Sequence, residues 1–504
     1  MDSAANRMVV VGVWLLTPGV TLDALQQRVR ERLLRYARFR QVVVADAAGP
    51  RWVDDPRFDL GHHVRLQPLG RRAGASDRDA LRALCGRLAM QPLPRDRPLW
   101  QLRLVPGYEG GSALVARIHH AVGDGIALIS VMNAITDGGP APPIPPPAAA
   151  PGEPDDQAAE ADWLAETVLQ PLTALTVRAI GWSGDGLARL LGGLADPQQG
   201  MHDSLDAARL GVQLLADAAA LALMPDDSPT RLKGRPAGRK RVAWSEPLPL
   251  APIQAVGRAL GCSVNDLLLA GVAGAIGHWL RAQGDEPAGQ EIRAMVPVNL
   301  RPLSEAWRLG NRFGLVPLTL PVGIANPVER ALTVRARMQA LKGSTQPLLS
   351  HALLALTGAA AQPVQEAVLG LFARKTTAVM TNVPGPKAPL RFCGATIRQA
   401  LFWVPASGDV GVGISVLSYA GGVQFGLITD EAFCAEPQAI VDRFAPELEQ
   451  LTWLALMLPW GEVAGPPADA PVPVDPVRRA VRRDPRRRRG GTQPLTPASG
   501  APGR

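Results

Sequence analysis

Four cysteines in 504 residues, Cys85, Cys262, Cys393 and Cys434, are too few and too scattered for a disulfide framework or a thiolate metal site, and read as reduced core residues. No apolar run reaches the roughly 18 to 20 residues that a spanning helix needs, so an integral membrane protein is not expected. The amino terminus lacks the basic, apolar and small-residue succession of an export signal, and the expected location is the cytoplasm. A Gly-x-Ser-x-Gly elbow is missing as well, which removes the commonest signal for a serine nucleophile. Aromatic residues are scarce at 5%, and charged residues make up 19%. With 47% apolar residues, the chain has material for two or three well-filled domains.

What is present converges on Arg117-Ile118-His119-His120-Ala121-Val122-Gly123-Asp124-Gly125. The apolar run ahead of it, Ser112 to Ala116, reads as a buried strand, and Ile126 to Ile135 reads as a helix opened by Asp124 or Gly125. Adjacent residues on a strand point to opposite faces, so one histidine faces a pocket while the other supports it. Asp124 returns to the same neighbourhood and is expected to fix the loop through an ion pair. Gly123 is expected to allow a tight turn, and Gly125 to clear space beside the reacting centre. A second pair, His62-His63, lacks the following Asp-Gly and reads as structural.

The surrounding chain alternates helix and strand patterns in a mixed α/β manner. Thr21 is placed to cap a helix over Leu22 to Tyr36, Ser76 one ending at Met90, and Ser263 one over Val264 to Arg281. Asn265 and Asp266 then fall in a first turn, where capping and a substrate-side role both stay open. Helices are expected over Leu353 to Phe372 and Gln438 to Leu454. Residues 138–154 hold eight prolines and three glycines, which excludes regular structure there. Glu160 to Met224 reads as helical segments, either packed between domains or touching lipid. Residues 475–504 contain nine arginines and two aspartates, or seven of the chain's eight net positive charges. That tail reads as disordered and solvated, with an anionic membrane surface as its next reading and nucleic acid not expected as a partner.

His-His-x-x-x-Asp-Gly at 119–125 resembles the motif of the CoA-dependent acyltransferase superfamily. Pro98-Leu99-Trp100, Asn265-Asp266, Thr381-Asn382-Val383-Pro384-Gly385-Pro386 and Gly411-Val412-Gly413-Ile414-Ser415-Val416 narrow the resemblance to its wax ester synthase/diacylglycerol acyltransferase family, over residues 8–455. The resemblance implies two chloramphenicol-acetyltransferase-like lobes with a channel between them. It divides the chain into a first lobe at 1–137, a linker at 138–158, a helical connection at 159–237, a second lobe at 238–460 and the tail at 461–504. Relatives usually begin somewhat earlier, which implies a shortened start here. The implied activity is transfer of a long-chain acyl group from acyl-CoA, as substrate rather than cofactor, to diacylglycerol or a fatty alcohol. His120 takes the role of general base, without an acyl-enzyme and without a metal. His119, Asp124 and Gly125 support it, Arg301 is the candidate partner of Asp124, and Thr381 or Asn382 is the candidate oxyanion donor. Peripheral contact with the inner membrane or lipid droplets goes with such acceptors. Transfer to a non-lipid hydroxyl or amine, and a non-catalytic lipid-binding role, are the alternatives.

Overall fold

The apolar segment near the start becomes the centre of a sheet. The computed structural model describes residues 3–46, 49–70, 73–140, 224–300, 309–342, 346–347, 350, 370, 372–406 and 408–457. The first part runs β1 (Val9–Thr17), α1 (Leu22–Glu31), β2 (Gln41–Asp46), β3 (Gly49–Asp54), α2 (Leu60–His63), β4 (Val64–Leu66), α3 (Asp77–Met90), β5 (Trp100–Tyr108), β6 (Gly111–His119) and α4 (Gly125–Ala134). The later strands are β7 (Lys240–Trp244), β8 (Leu248–Pro249), β9 (Ile292–Asn299), β10 (Phe313–Leu320), β11 (Ala378–Pro384), β12 (Arg391–Phe392), β13 (Ala395–Trp403), β14 (Val412–Tyr419) and β15 (Gly422–Asp430).

Two mixed sheets form the two lobes. The first has the order β12-β13-β1-β6-β5-β4, the second β10-β9-β11-β14-β15-β7, with β8 beside β15. One face of the first sheet carries Trp14, Leu114, Ala116 and Ile118 toward α1 and α4. The opposite face carries Val11, Val13 and Val115 toward α3 and Trp244 of β7, as the two-residue period of a strand requires. The second sheet is covered by the helices Leu250–Leu260, Val264–Ala282, Pro327–Lys342 and Phe444–Leu456, which enclose the largest core.

Local chemistry sets the helix starts. Thr21 accepts the N–H of Ala24 and Ser76 that of Asp79. Ser263 and Asp266 form a reciprocal capping box, satisfying donors a helix leaves unpaired at its first turn. The first helix ends at Glu31 rather than Tyr36, and two 3-10 turns follow. There Phe39 packs edge-on to Trp100 at 5.6 Å, and the Trp100 indole donates to the Phe39 carbonyl at 2.9 Å. The last helix is split, Gln438–Val441 and Phe444–Leu456. Pro446 has no N–H and fits a helix only in its first turn, so the second piece begins just before it.

Two further differences from the sequence reading concern pairing. The β2–β3 ribbon is a separate two-stranded sheet, whose second strand has no clear sequence pattern. Residues 391–403 do not stay with the second lobe, contrary to the 238–460 boundary, because β13 pairs antiparallel with β1. The bent helix pair Leu250–Leu260 and Val264–Ala282 has membrane-like length and composition. Its apolar residues, Leu267 and Ile276 among them, are buried in the core. No single helix among the described residues is long and apolar enough to cross a membrane. The helices expected over 160–224 and 353–372 lie almost wholly outside the described residues, and Arg301 and the arginine-rich tail lie wholly outside them.

Candidate active site

The histidine pair stands where β6 ends. His119 is its last residue, and the His120 N–H donates to the Met8 carbonyl at 2.7 Å. Two residues before His119, the fully buried Arg117 donates to the carbonyls of Leu88 and Gln91 and to the Gln101 side chain. This anchors the strand on the face away from the pocket. His119 Nδ1 accepts the N–H of Ala121 at 3.1 Å, and the His119 backbone N–H donates to the Leu99 carbonyl at 2.9 Å. His119 and the Pro98-Leu99-Trp100 segment thus hold the turn, while His120 borders the cavity.

Asp124 is the N-cap of α4. Its Oδ1 accepts the N–H of Ala127 at 2.9 Å, and its Oδ2 accepts the backbone N–H of Arg312 at 3.0 Å. The segment that Asp124 holds was not singled out from sequence. Gly310 accepts the Asp124 N–H at 3.1 Å, Asn311 Nδ2 donates to the His120 carbonyl at 3.0 Å, and the Phe313 ring meets the His120 imidazole edge-on at 5.6 Å. Gly123 pairs with Gly310 in an isolated bridge. Space rather than a turn restricts position 123, since an added Cβ would sit 3.3 Å from Ala127 Cβ and 3.4 Å from Leu309 Cδ2. At Gly125 an added Cβ would meet nothing within 4 Å.

Burial lowers the pKa of His120 below that of a free imidazole. The Asp124 carboxylate, the His120 backbone and the Asn311 side chain act in the opposite direction, and burial outweighs them.

The cavity that His120 borders measures about 960 Å³ and has mostly apolar walls. The first lobe contributes one arm of its wall, which includes Gly12, Ala116 and Met132, and the second lobe contributes the other, which includes Met295, Phe313 and Val379; His120 and Asp124 also line the cavity. A polar centre between two apolar arms, each contributed by a different lobe, suits a reaction between two lipid chains. The match of family models to this framework decides the family: the wax ester synthase/diacylglycerol acyltransferase catalytic domain covers residues 7–268, and the WS/DGAT C-terminal domain covers residues 309–452. The chain belongs to the wax ester synthase/diacylglycerol acyltransferase family.

Among its relatives, a putative diacylglycerol O-acyltransferase of Mycobacterium tuberculosis CDC 1551 is 30% identical over 359 residues, 68% of this chain and 70% of the relative. A probable diacylglycerol O-acyltransferase of M. tuberculosis H37Rv is 27% identical over 414 residues, 81% of this chain and 82% of the relative. The fold is shared with the wax ester synthase/diacylglycerol acyltransferase from Marinobacter aquaeolei VT8, with a TM-score of 0.61 at 21% identity over 91% of this chain and 97% of that one. It is shared also with the first condensation domain of the calcium-dependent antibiotic synthetase, with a TM-score of 0.54 at 17% identity, covering 90% and 92%.

In this wax ester synthase/diacylglycerol acyltransferase family member the second-half motif residues separate into two groups. Thr381 borders the cavity, and its hydroxyl is buried with no hydrogen-bond partner among the described residues. Asn382 also borders the cavity, but its amide donates to Asn265 Oδ1. Asp266, contrary to a substrate-side role, is buried in the capping box of its helix. Asn265 is turned to Asn382 and is not part of the cavity wall. His63 is structural, as its setting in the sequence suggested: it stacks between Phe58 and Trp100 and bonds the Trp100 carbonyl at 2.8 Å. The four cysteines are separate free thiols, three of them buried and Cys393 half-buried. Asn311 and Phe313 carried no usable sequence signal, because their partner lies about 190 residues away and no local pattern encodes such a contact.

Proposed function

We propose that His120 is the general base of an O-acyl transfer from acyl-CoA to diacylglycerol or a long-chain alcohol. The observation that carries this reading is the position of the His120 ring, kept neutral by burial, in a cavity walled by apolar residues of both lobes. Membership of the family and the names of the mycobacterial relatives support the substrate class.

The neutral imidazole of His120 takes the proton of the acceptor hydroxyl as its oxygen attacks the thioester carbonyl carbon. The tetrahedral oxyanion accepts a hydrogen bond from the Thr381 hydroxyl. The carbon–sulfur bond then breaks, and the imidazolium returns its proton to the departing thiolate, giving ester and free CoA thiol. Neither an acyl-enzyme nor a resident cofactor enters this sequence. Asn311 holds the His120 backbone through its carbonyl, and Asp124 holds the turn that carries the ring. Acceptors of this kind are met at a lipid surface, so the enzyme works peripherally at the inner membrane or on droplets from the cytoplasmic side.

The test is thiol release by the purified protein from palmitoyl-CoA with hexadecanol or dioleoylglycerol, beside His120→Ala. Loss of a single acid–base group costs about 10²- to 10⁴-fold in turnover. Ester formation that survives unchanged in a folded His120→Ala protein removes the histidine from the chemistry. The absence of ester with either acceptor removes the lipid assignment.

A further inference from the structure

The helix behind the histidine turn carries only two polar side chains, Ser130 and Asn133. Ala127, Leu128, Val131 and Ala134 of α4 are buried in the core, while Ile126, Ile129 and Met132 on another face stay half-buried. Apolar helix faces need cover, yet these three side chains border the cavity, with Asn133 beside them. In the same cavity wall, Gly12 of β1 and Ala116 of β6 form a cross-strand pair, the small one among neighbours on that face, Trp14 and Leu114, that are large and also border the cavity.

Nothing in the backbone requires glycine at position 12. Its φ is not positive, and an added Cβ would meet the Leu401 carbonyl oxygen at 3.7 Å and Ala116 Cβ at 4.0 Å, both ordinary contacts. Glycine inside a strand costs stability and often marks a place where something else approaches closely. Tyr419 donates its hydroxyl to the Ile397 carbonyl at 2.8 Å and accepts the Leu390 N–H at 2.8 Å, so its polar group is already engaged.

We propose that an unbranched alkyl chain of the substrate lies between Ile126, Ile129 and Met132 on one side and Gly12 and Ala116 on the other, and that Gly12 sets the longest chain this arm accepts. The proposal rests on the acyltransferase reading above. Ala116 lies four residues before His120, or ~13 Å at the rise of a strand. With carbon–carbon bonds of ~1.5 Å, an extended chain covers that span in about ten methylenes. Carbons beyond that point pass over Gly12. The chain belongs either to the acyl group or to the alcohol, and the test distinguishes the two.

Gly12→Leu and, separately, Ala116→Leu are assayed in two series. One varies octanoyl-, lauroyl- and palmitoyl-CoA with dodecanol; the other varies octanol, dodecanol and hexadecanol with lauroyl-CoA. In one series the kcat/KM ratio of the longest to the shortest chain falls by about tenfold or more, and in the other it stays within about twofold. The series that moves identifies the chain that occupies the arm. Displacement of bound cis-parinaric acid by palmitate and octanoate gives a readout independent of turnover. If the wild type turns over neither series, nor palmitoyl-CoA with dioleoylglycerol, the acyltransferase reading fails, and selective loss of palmitate binding in the variants still upholds the arm. If both variants melt near the wild-type temperature and both the kinetic ratios and the palmitate affinity are unchanged, the proposal is overturned.

Discussion

Asp124 and Arg312 are 188 residues apart in the chain, and the Asp124 carboxylate accepts the Arg312 backbone N–H at 3.0 Å. The same carboxylate caps α4 at 2.9 Å. One side chain therefore ties the turn that carries His120 to the lead-in of β10 in the other lobe, and the position of the base depends on both lobes at once.

Asp124→Ala removes both bonds. Loss of the cap alone is expected to lower stability by about 1–2 kcal/mol, read as a lower denaturation midpoint. Displacement of the turn is expected to lower kcat by about a hundredfold. An Asp124→Ala enzyme with full turnover would show that the clamp does not position the base.

Because burial lowers the His120 pKa, the base stays neutral at pH values where a free imidazole is already half charged. The acid limb of kcat/KM is expected to fall below the ordinary imidazole value of about 6.5. The Asp124 carboxylate pulls the pKa upward, so Asp124→Asn moves that limb further toward acid. A limb above the ordinary value, or one that shifts toward neutral in Asp124→Asn, contradicts the assignment.

Thr381→Val keeps the shape of the side chain and deletes the hydroxyl that borders the cavity. Removal of one oxyanion donor costs about 10²- to 10³-fold in kcat, with little effect on KM or melting temperature. Asn382→Ala breaks the contact with Asn265 and is expected to weaken folding more than catalysis. The reverse ranking of the two variants would move the oxyanion role to Asn382.

Burial holds His63 at a pKa of about 4, whereas the unfolded chain takes up a proton near 6.5. Below that value the unfolded state binds the proton and the native state does not. Stability is therefore complete above about 6.5 and declines as the pH falls toward 4, by about 3 kcal/mol at most. His63→Phe, able to stack on Phe58 and Trp100, should flatten this acid limb in a melting curve measured against pH. A limb of unchanged depth would place the effect on other groups.

Much of the framework could be read from neighbouring residues. Thr21, Ser76 and Ser263 announced their helices because a cap is a bond between residues three positions apart, and apolar runs marked β1, β6 and β14 because these strands are buried on both faces. The histidine turn was legible for the same reason: His120, Asp124 and the start of α4 fall within one short stretch. Local pattern did not reveal that β13 joins β1, that Gly310 to Phe313 close over His120, or that Thr381 rather than Asn382 keeps a free hydroxyl at the cavity. Those outcomes depend on which sheet edge is open and which side chain finds a distant partner, and a hydrogen bond across 188 residues leaves no periodicity in the chain that makes it. The sequence by itself determined the reactive group and its immediate mounting, whereas the tertiary structure decided what surrounds that group, because burial and long-range pairing exist only once both lobes have folded against each other.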